Sequence, residues 1–150
     1  MAAGISNRAE GKDEWPVTPN AAYAQSAYDQ VQLESASKEE AVVLLFEAMV
    51  RFLHQAREAM QARQLEQQSA FIGRAQRILS ELMCALDETQ DEGLVAALRC
   101  CYTAMYNRLW EANVKDDVAL LDEVIALAEK FAQAWRTALQ NITNAAAVAA

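Results

Sequence analysis

Both prolines of this chain, Pro16 and Pro19, fall within its first 20 residues, and beyond them only Gly73 and Gly93 interrupt the remaining positions. Proline fixes φ and lacks a donor, and glycine supplies the conformations that tight turns need, so a stretch nearly free of both is poor in turn signals. A protein of many short strands requires more of them. The same scarcity leaves long helices unbroken, and with 53% of its 150 residues hydrophobic the chain can build a core around them.

Periodicity places the elements. Residues 1–20 mix Gly, Asn, charge and both prolines without a repeat and read as a flexible extension. Residues 21–36, with Tyr23, Tyr28, Val31 and Leu33 as their apolar members, read as a short helix or an extended strap. Ser37-Lys38-Glu39-Glu40 has the form of a capping box, in which the hydroxyl accepts from an early orphan N–H while the glutamate reaches back. A helix is predicted from there to about Arg63, carrying Val42, Leu45, Phe46, Met49, Phe52, Leu53, Ala56 and Met60 at three- and four-residue spacing. A second is predicted over about Glu66 to Leu86, with Phe71, Ala75, Ile78 and Leu82 on its face. A third runs from Glu92, through Leu94, Leu98, Cys101, Met105 and Leu109, to a left-handed stop at Asn113. The fourth opens after Asp116-Asp117 and continues through Leu121, Val124, Ile125, Ala128, Phe131, Trp135 and Leu139. Short connections make neighbours antiparallel, so the expected fold is all-α, an antiparallel four-helix bundle over residues 37–141 with a flexible tail over 142–150.

Charge and side-chain chemistry narrow the function. A formal charge of -8 repels phosphate, which argues against nucleic acid as a partner. The longest apolar runs, Ala41 to Phe46 and Ala145 to Ala150, are too short to cross a bilayer, so no membrane insertion is expected, nor does the N-terminus carry a secretory signal. Three cysteines cannot all pair; Cys100 and Cys101 are helix neighbours that point apart and Cys84 stands alone, which fits reduced thiols in a cytoplasmic protein. No metal-ligand spacing is present, and one histidine cannot supply a di-iron site, so no cofactor or metal is expected. Glu39-Glu40 and Asp122-Glu123 read as first-turn acids that complement helix dipoles rather than as catalytic pairs. Met49, Met60, Met83 and Met105 read as core filling.

His54 raises the alternative of a histidine phosphotransfer module. It falls on a flank of the first helix beside Arg51 and Arg57, whereas such modules carry Lys three residues on, then Gly; here those positions are Arg57 and Glu58, and a carboxylate there repels a phosphoryl group. The third helix adds a row, Tyr102, Tyr106 and Trp110, at steps of four beside its apolar stripe. Either this helix is central and packs on both sides, or part of the face binds a partner, and the two readings are compatible. Self-association through the same row is a third reading.

Several ordered blocks resemble the flagellar secretion chaperones of the FliS family. Tyr28-x-x-x-x-Leu33-x-Ser35-Ala36-Ser37 is similar to that family's Tyr-x-x-x-x-Val-x-Thr-Ala-Ser-Pro, Leu45-Phe46-Glu47-Ala48 to its Leu-Tyr-Asp-Gly, and Arg74-Ala75-Gln76-Arg77-Ile78 to its Lys/Arg-Ala-Gln-x-Ile. The longest block runs from Tyr102 to Asn113 and is followed by Lys115-Asp116-Asp117 and Ala134-Trp135-Arg136. The chain departs from the family pattern at Lys38, Ala48, Thr103, Ala104 and Asn107. The resemblance implies a non-enzymatic, cytoplasmic export chaperone that binds the disordered C-terminal segment of flagellin, prevents premature polymerisation and aids delivery to the flagellar type III export apparatus, with export gate components as further partners. It also implies flagellin-binding positions: Tyr28 and Leu33 in the strap, Tyr23 as a second strap candidate, and Phe46, Tyr102, Tyr106, Arg108 and Asn113 at or supporting a groove.

Overall fold

The computed structural model describes residues 37–149, and the expected extension over 1–20 and strap over 21–36 lie outside them. Four helices follow one another: α1 (Lys38–Gln61), α2 (Leu65–Cys84), α3 (Glu92–Lys115) and α4 (Val118–Ala149). Among the described residues there is no strand.

Helix α1 begins directly after Ser37, where the capping sequence places it, and carries Glu39 and Glu40 in its first turn. It ends without Gly or Pro. Instead Arg63 adopts a left-handed φ of 57°, the Gln64 N–H donates to the Ala59 carbonyl (2.9 Å) and the Arg63 N–H to the Met60 carbonyl (3.2 Å), the two bonds of a Schellman cap. Helix α3 is opened by Asp91, whose Oδ1 accepts from the Gly93 and Leu94 N–H groups at 3.0 and 3.2 Å. Its end differs from expectation: the left-handed residue is Asp116 (φ 51°), not Asn113, which lies inside the helix. A short carboxylate tolerates that conformation as the amide does, and Asn113 is occupied elsewhere. Asp117 then caps α4 by accepting from the Leu120 N–H at 3.1 Å. Helix α4 continues to Ala149, past the boundary expected at 141, because its last turns are rich in alanine and lack a breaker.

Helix α1 packs against α2 and α4, and α3 packs against the same two, so α1 and α3 lie on a diagonal. Ion pairs record the antiparallel register of α1 and α4: Glu47 meets Arg136, His54 meets Glu129 and Arg57 meets Asp122, ascending numbers on one helix against descending ones on the other. Between α2 and α3 the same order appears in Gln68 with Asn113, Gln76 with the Tyr106 carbonyl, and Met83 with Thr103.

The core follows the predicted stripes. Phe46, Met49, Leu53, Ile78, Met105, Leu109 and Leu121 are fully covered, each large side chain contributing about 1.5–3 kcal/mol through burial. Met49, Met60 and Met105 fill the core as expected, and Met83 is half-buried. Helix α1 buries nine residues and α3 only four over the same 24 positions. Leu94, predicted on the α3 stripe, is 57% exposed because it sits in the first turn, beyond the reach of its neighbours. Asp122 and Glu123 are likewise corrected: they fall in the second turn of α4 and pair with Arg57 and Arg108.

Candidate functional site

The expected site residues separate into three groups. Tyr23, Tyr28 and Leu33 lie outside the described residues. Phe46 and Tyr102 come together across the bundle diagonal with Phe131 of α4, the three ring centroids standing 5.7–5.9 Å apart, a range typical of favourable aromatic pairs. Phe46 is wholly covered, so it supports a surface rather than forming one. The remaining three sit elsewhere on α3. Tyr106 is half-buried on the α2 side, with its carbonyl accepting from Gln76 Nε2 at 3.3 Å. Arg108 is exposed on the opposite flank, where its Nη1 donates to Glu123 of α4 at 2.9 Å.

Asn113 forms part of a polar clasp between the start of α2 and the end of α3. Gln68 is 1% exposed, and its Nε2 donates to Asn113 Oδ1 (3.0 Å), to the Asn113 carbonyl (3.3 Å) and to Asp116 Oδ1 (2.8 Å). Ser69 Oγ donates to the same Asn113 oxygen at 3.3 Å. Gln68 Oε1 is buried with no hydrogen-bond partner among the described residues. This clasp explains why Asn113 stays helical, and nothing in the hydrophobic period announces it, since a buried glutamine breaks the pattern by which cores are read.

At the other end of the bundle a cleft of about 440 Å³ opens between the start of α1, the end of α2, the first half of α3 and the middle of α4. Val42, Leu82, Leu86, Val95, Tyr102 and Trp135 form its apolar lining, with Lys38, Glu39, Asp87 and Gln90 around them. The aromatic triad backs it through Tyr102, which belongs to both. Burial pushes the Tyr102 hydroxyl up to about 12, against a hydrogen bond from Trp135 that favours the ionised form, so at neutral pH the phenol is an uncharged acceptor and donor. Asp87 is held below the usual carboxylate range by the Thr89 hydroxyl and N–H that it accepts, at 2.6 and 2.9 Å. Trp135 is the site residue that the α4 stripe hid: it holds a stripe position and reads as core until the helix ends around it are in place.

Neither His54 nor the acidic residues form a reactive constellation with the cleft. Because a carboxylate only accepts, His54 Nε2 is the donor to Glu129 Oε1 at 2.8 Å. Arg57 is bidentate on Asp122, so the phosphotransfer alternative draws no support from its surroundings. Among the described residues no group of three or more His, Cys, Asp or Glu could hold a metal ion, no helix is long and apolar enough to cross a membrane, and the three cysteines are unpaired.

An all-α bundle with an apolar, aromatic-backed cleft at one end is the class of protein that the fold and site define. The model of one family, described as "Flagellar protein FliS", matches residues 19–142. The chain belongs to that family. Curated relatives agree over most of both lengths. The flagellar secretion chaperone FliS of Bacillus subtilis (strain 168) is 30% identical over 116 residues, 77% of this chain and 86% of its own. FliSB of Pseudomonas aeruginosa is 35% identical over 116 residues, covering 75% and 92% respectively. FliS of Escherichia coli (strain K12) is 32% identical over 124 residues, covering 79% and 91%.

Proposed function

We propose that this chain is a cytoplasmic flagellar export chaperone that holds the disordered C-terminal segment of flagellin, keeps it from polymerising early and aids its delivery to the flagellar type III export apparatus. The observation that carries this reading is the family match across the whole bundle, with relatives on each side named flagellar secretion chaperones. The geometry is compatible. A segment that folds on binding loses ordering entropy, which a long apolar surface offsets while leaving the complex reversible for hand-over. In this reading the cleft at Tyr102 and Trp135 takes apolar side chains of the cargo, Phe46 stiffens its floor, and Tyr106, Arg108 and Asn113 contribute along α3. Tyr23, Tyr28 and Leu33 act as the strap that yields when cargo arrives. Work is done by binding alone, with no bond made or broken.

Size-exclusion chromatography with light scattering tests it directly. The purified chain and the flagellin encoded in the same genome are expected to form a soluble equimolar complex, and flagellin lacking its C-terminal segment is expected to elute alone. Equal retention of the truncated flagellin would sink the proposed mode.

A further inference from the structure

Ion pairs join α1 to α4 at a regular spacing. On α4 the partners are Asp122, Glu129 and Arg136, seven residues apart, and on α1 they are Arg57, His54 and Glu47. Seven residues are close to two turns, so the α4 partners share one flank of that helix. The sign of the charge changes along it. In the two pairs nearer the α3–α4 connection the acid belongs to α4, whereas in the pair nearest the cleft it belongs to α1 and the base to α4. This last pair is bidentate: Arg136 Nε donates to Glu47 Oε2 at 3.2 Å and its Nη2 donates to Glu47 Oε1, the fork that a guanidinium offers a carboxylate.

Its place in the fold gives the Glu47–Arg136 pair a role that the others lack. Glu47 follows Phe46, a member of the aromatic triad, and Arg136 follows Trp135, which lines the cleft. Successive helix residues stand about 100° apart, so an arginine held on the α1 flank fixes the direction in which the preceding tryptophan points. Packing does little to fix it instead. Among the described residues the last buried position of α4 is Ala128, and from Arg136 to Ala149 only Leu139 is not exposed. A partly exposed ion pair is weak beside a packed core, but where packing is thin it decides between orientations.

We infer that the Glu47–Arg136 pair is a positioning clamp for the cleft: it sets the rotation of α4 at Trp135, keeps the indole on the cleft wall beside Tyr102, and thereby controls how tightly the cleft holds its cargo. The inference rests on the export-chaperone reading and deepens it by naming what governs the shape of the same cleft. Arg57–Asp122 is the internal comparison. It joins the same two helices, is also bidentate and is exposed to a similar extent, but it lies toward the end of the bundle away from the cleft. A merely structural role predicts equal effects from breaking either pair.

Two readouts test the clamp, both on the full chain. With Trp15→Phe and Trp110→Phe in place, Trp135 is the remaining tryptophan, and acrylamide quenching reads its exposure without cargo. Arg136→Met, which keeps the aliphatic stem and removes the fork, is expected to raise the quenching constant about twofold, as for a half-buried indole released into water. Arg57→Met should leave it unchanged, although urea denaturation is expected to show the two variants equally destabilised. The second readout is titration calorimetry with the purified C-terminal segment of the flagellin encoded in the same genome. Arg136→Met is expected to bind about fivefold more weakly, the limit that a partly exposed pair sets. Arg57→Met should stay within about twofold of the parent, and the exchange Glu47→Arg with Arg136→Glu should restore the affinity that either change alone lowers. If Arg136→Met leaves the affinity of a binding-competent parent unchanged, or if Arg57→Met lowers it equally, the clamp is overturned and the chaperone reading stands. Unchanged quenching in Arg136→Met overturns the clamp whatever the cargo does. A parent chain that binds no flagellin segment overturns the chaperone reading and the control of affinity with it, while the quenching of Trp135 still decides whether the pair positions the indole.

Discussion

Arg63 holds a left-handed backbone at φ 57° with a branched-length side chain that gains nothing visible from it. Glycine adopts that region without the Cβ clash, so Arg63→Gly is expected to stabilise the bundle by about 0.5–1 kcal/mol, a rise of about 2–4 °C in Tm by calorimetry. Asp122 makes the opposite kind of contribution. The Arg57 guanidinium holds its carboxyl below the ordinary 3.8, so the stabilisation is whole above that pH and is lost as pH falls through the lower folded-state value. Urea denaturation of the parent and Asp122→Asn chains should therefore show a constant gap from neutrality to about pH 4 that closes in stronger acid. The pair is partly exposed, so solvent screening keeps the gap small. Neither residue is marked in the sequence as special: Arg63 lacks the glycine that flags a helix end, and the partner of Asp122 lies 65 positions away.

At the scale of elements, the row Tyr102, Tyr106, Trp110 shows how a sequence pattern turns in space. Each step of four advances about 40° around the helix, and the three residues pass from 2% exposed, to half-buried, to 61% exposed. The row is not a single packing face; it runs from core to surface. Helix existence and order were legible because apolar spacing and the absence of breakers agree along α1, α2 and α4. The end of α3 was not, because a tertiary contact decides it. Gln68→Ala tests that contact: removing the buried amide takes the donor from half-buried Asn113 and exposed Asp116, a loss of about 0.5–1.5 kcal/mol in chemical denaturation, while an equally conservative-looking Gln68→Glu should cost more by setting a carboxylate against Asp116. At the opposite extreme, ending the chain after Asn141 removes only exposed residues among those described and is expected to change stability by less than about 0.5 kcal/mol.

For the molecule as a whole, the bundle could be read in advance because its core stripes are local patterns, whereas the cleft could not, being assembled from side chains of four helices that are 97 positions apart at the extremes, from Lys38 to Trp135. Tyr102 belongs to both the aromatic triad and the cleft, so under the proposed function stability and binding are linked: Phe46→Ala is expected to lose about 3–5 kcal/mol and to lower cargo affinity, measurable as a parallel fall in urea midpoint and in complex formation.

The connections place a final asymmetry on the bundle. At one end, three residues join α1 to α2, two join α3 to α4, and Gln68 pins the halves together. At the other, seven residues join α2 to α3, and α1 begins and α4 passes with the cleft between them. The bundle is thus closed by short, hydrogen-bonded connections at one end and by a longer connection beside the cleft at the other. Amide exchange should accordingly be slowest at the buried mid-helix positions around Leu53, Ile78, Met105 and Leu121 and quicken toward Val42 and Val95 at the cleft end, where both residues are only half-buried.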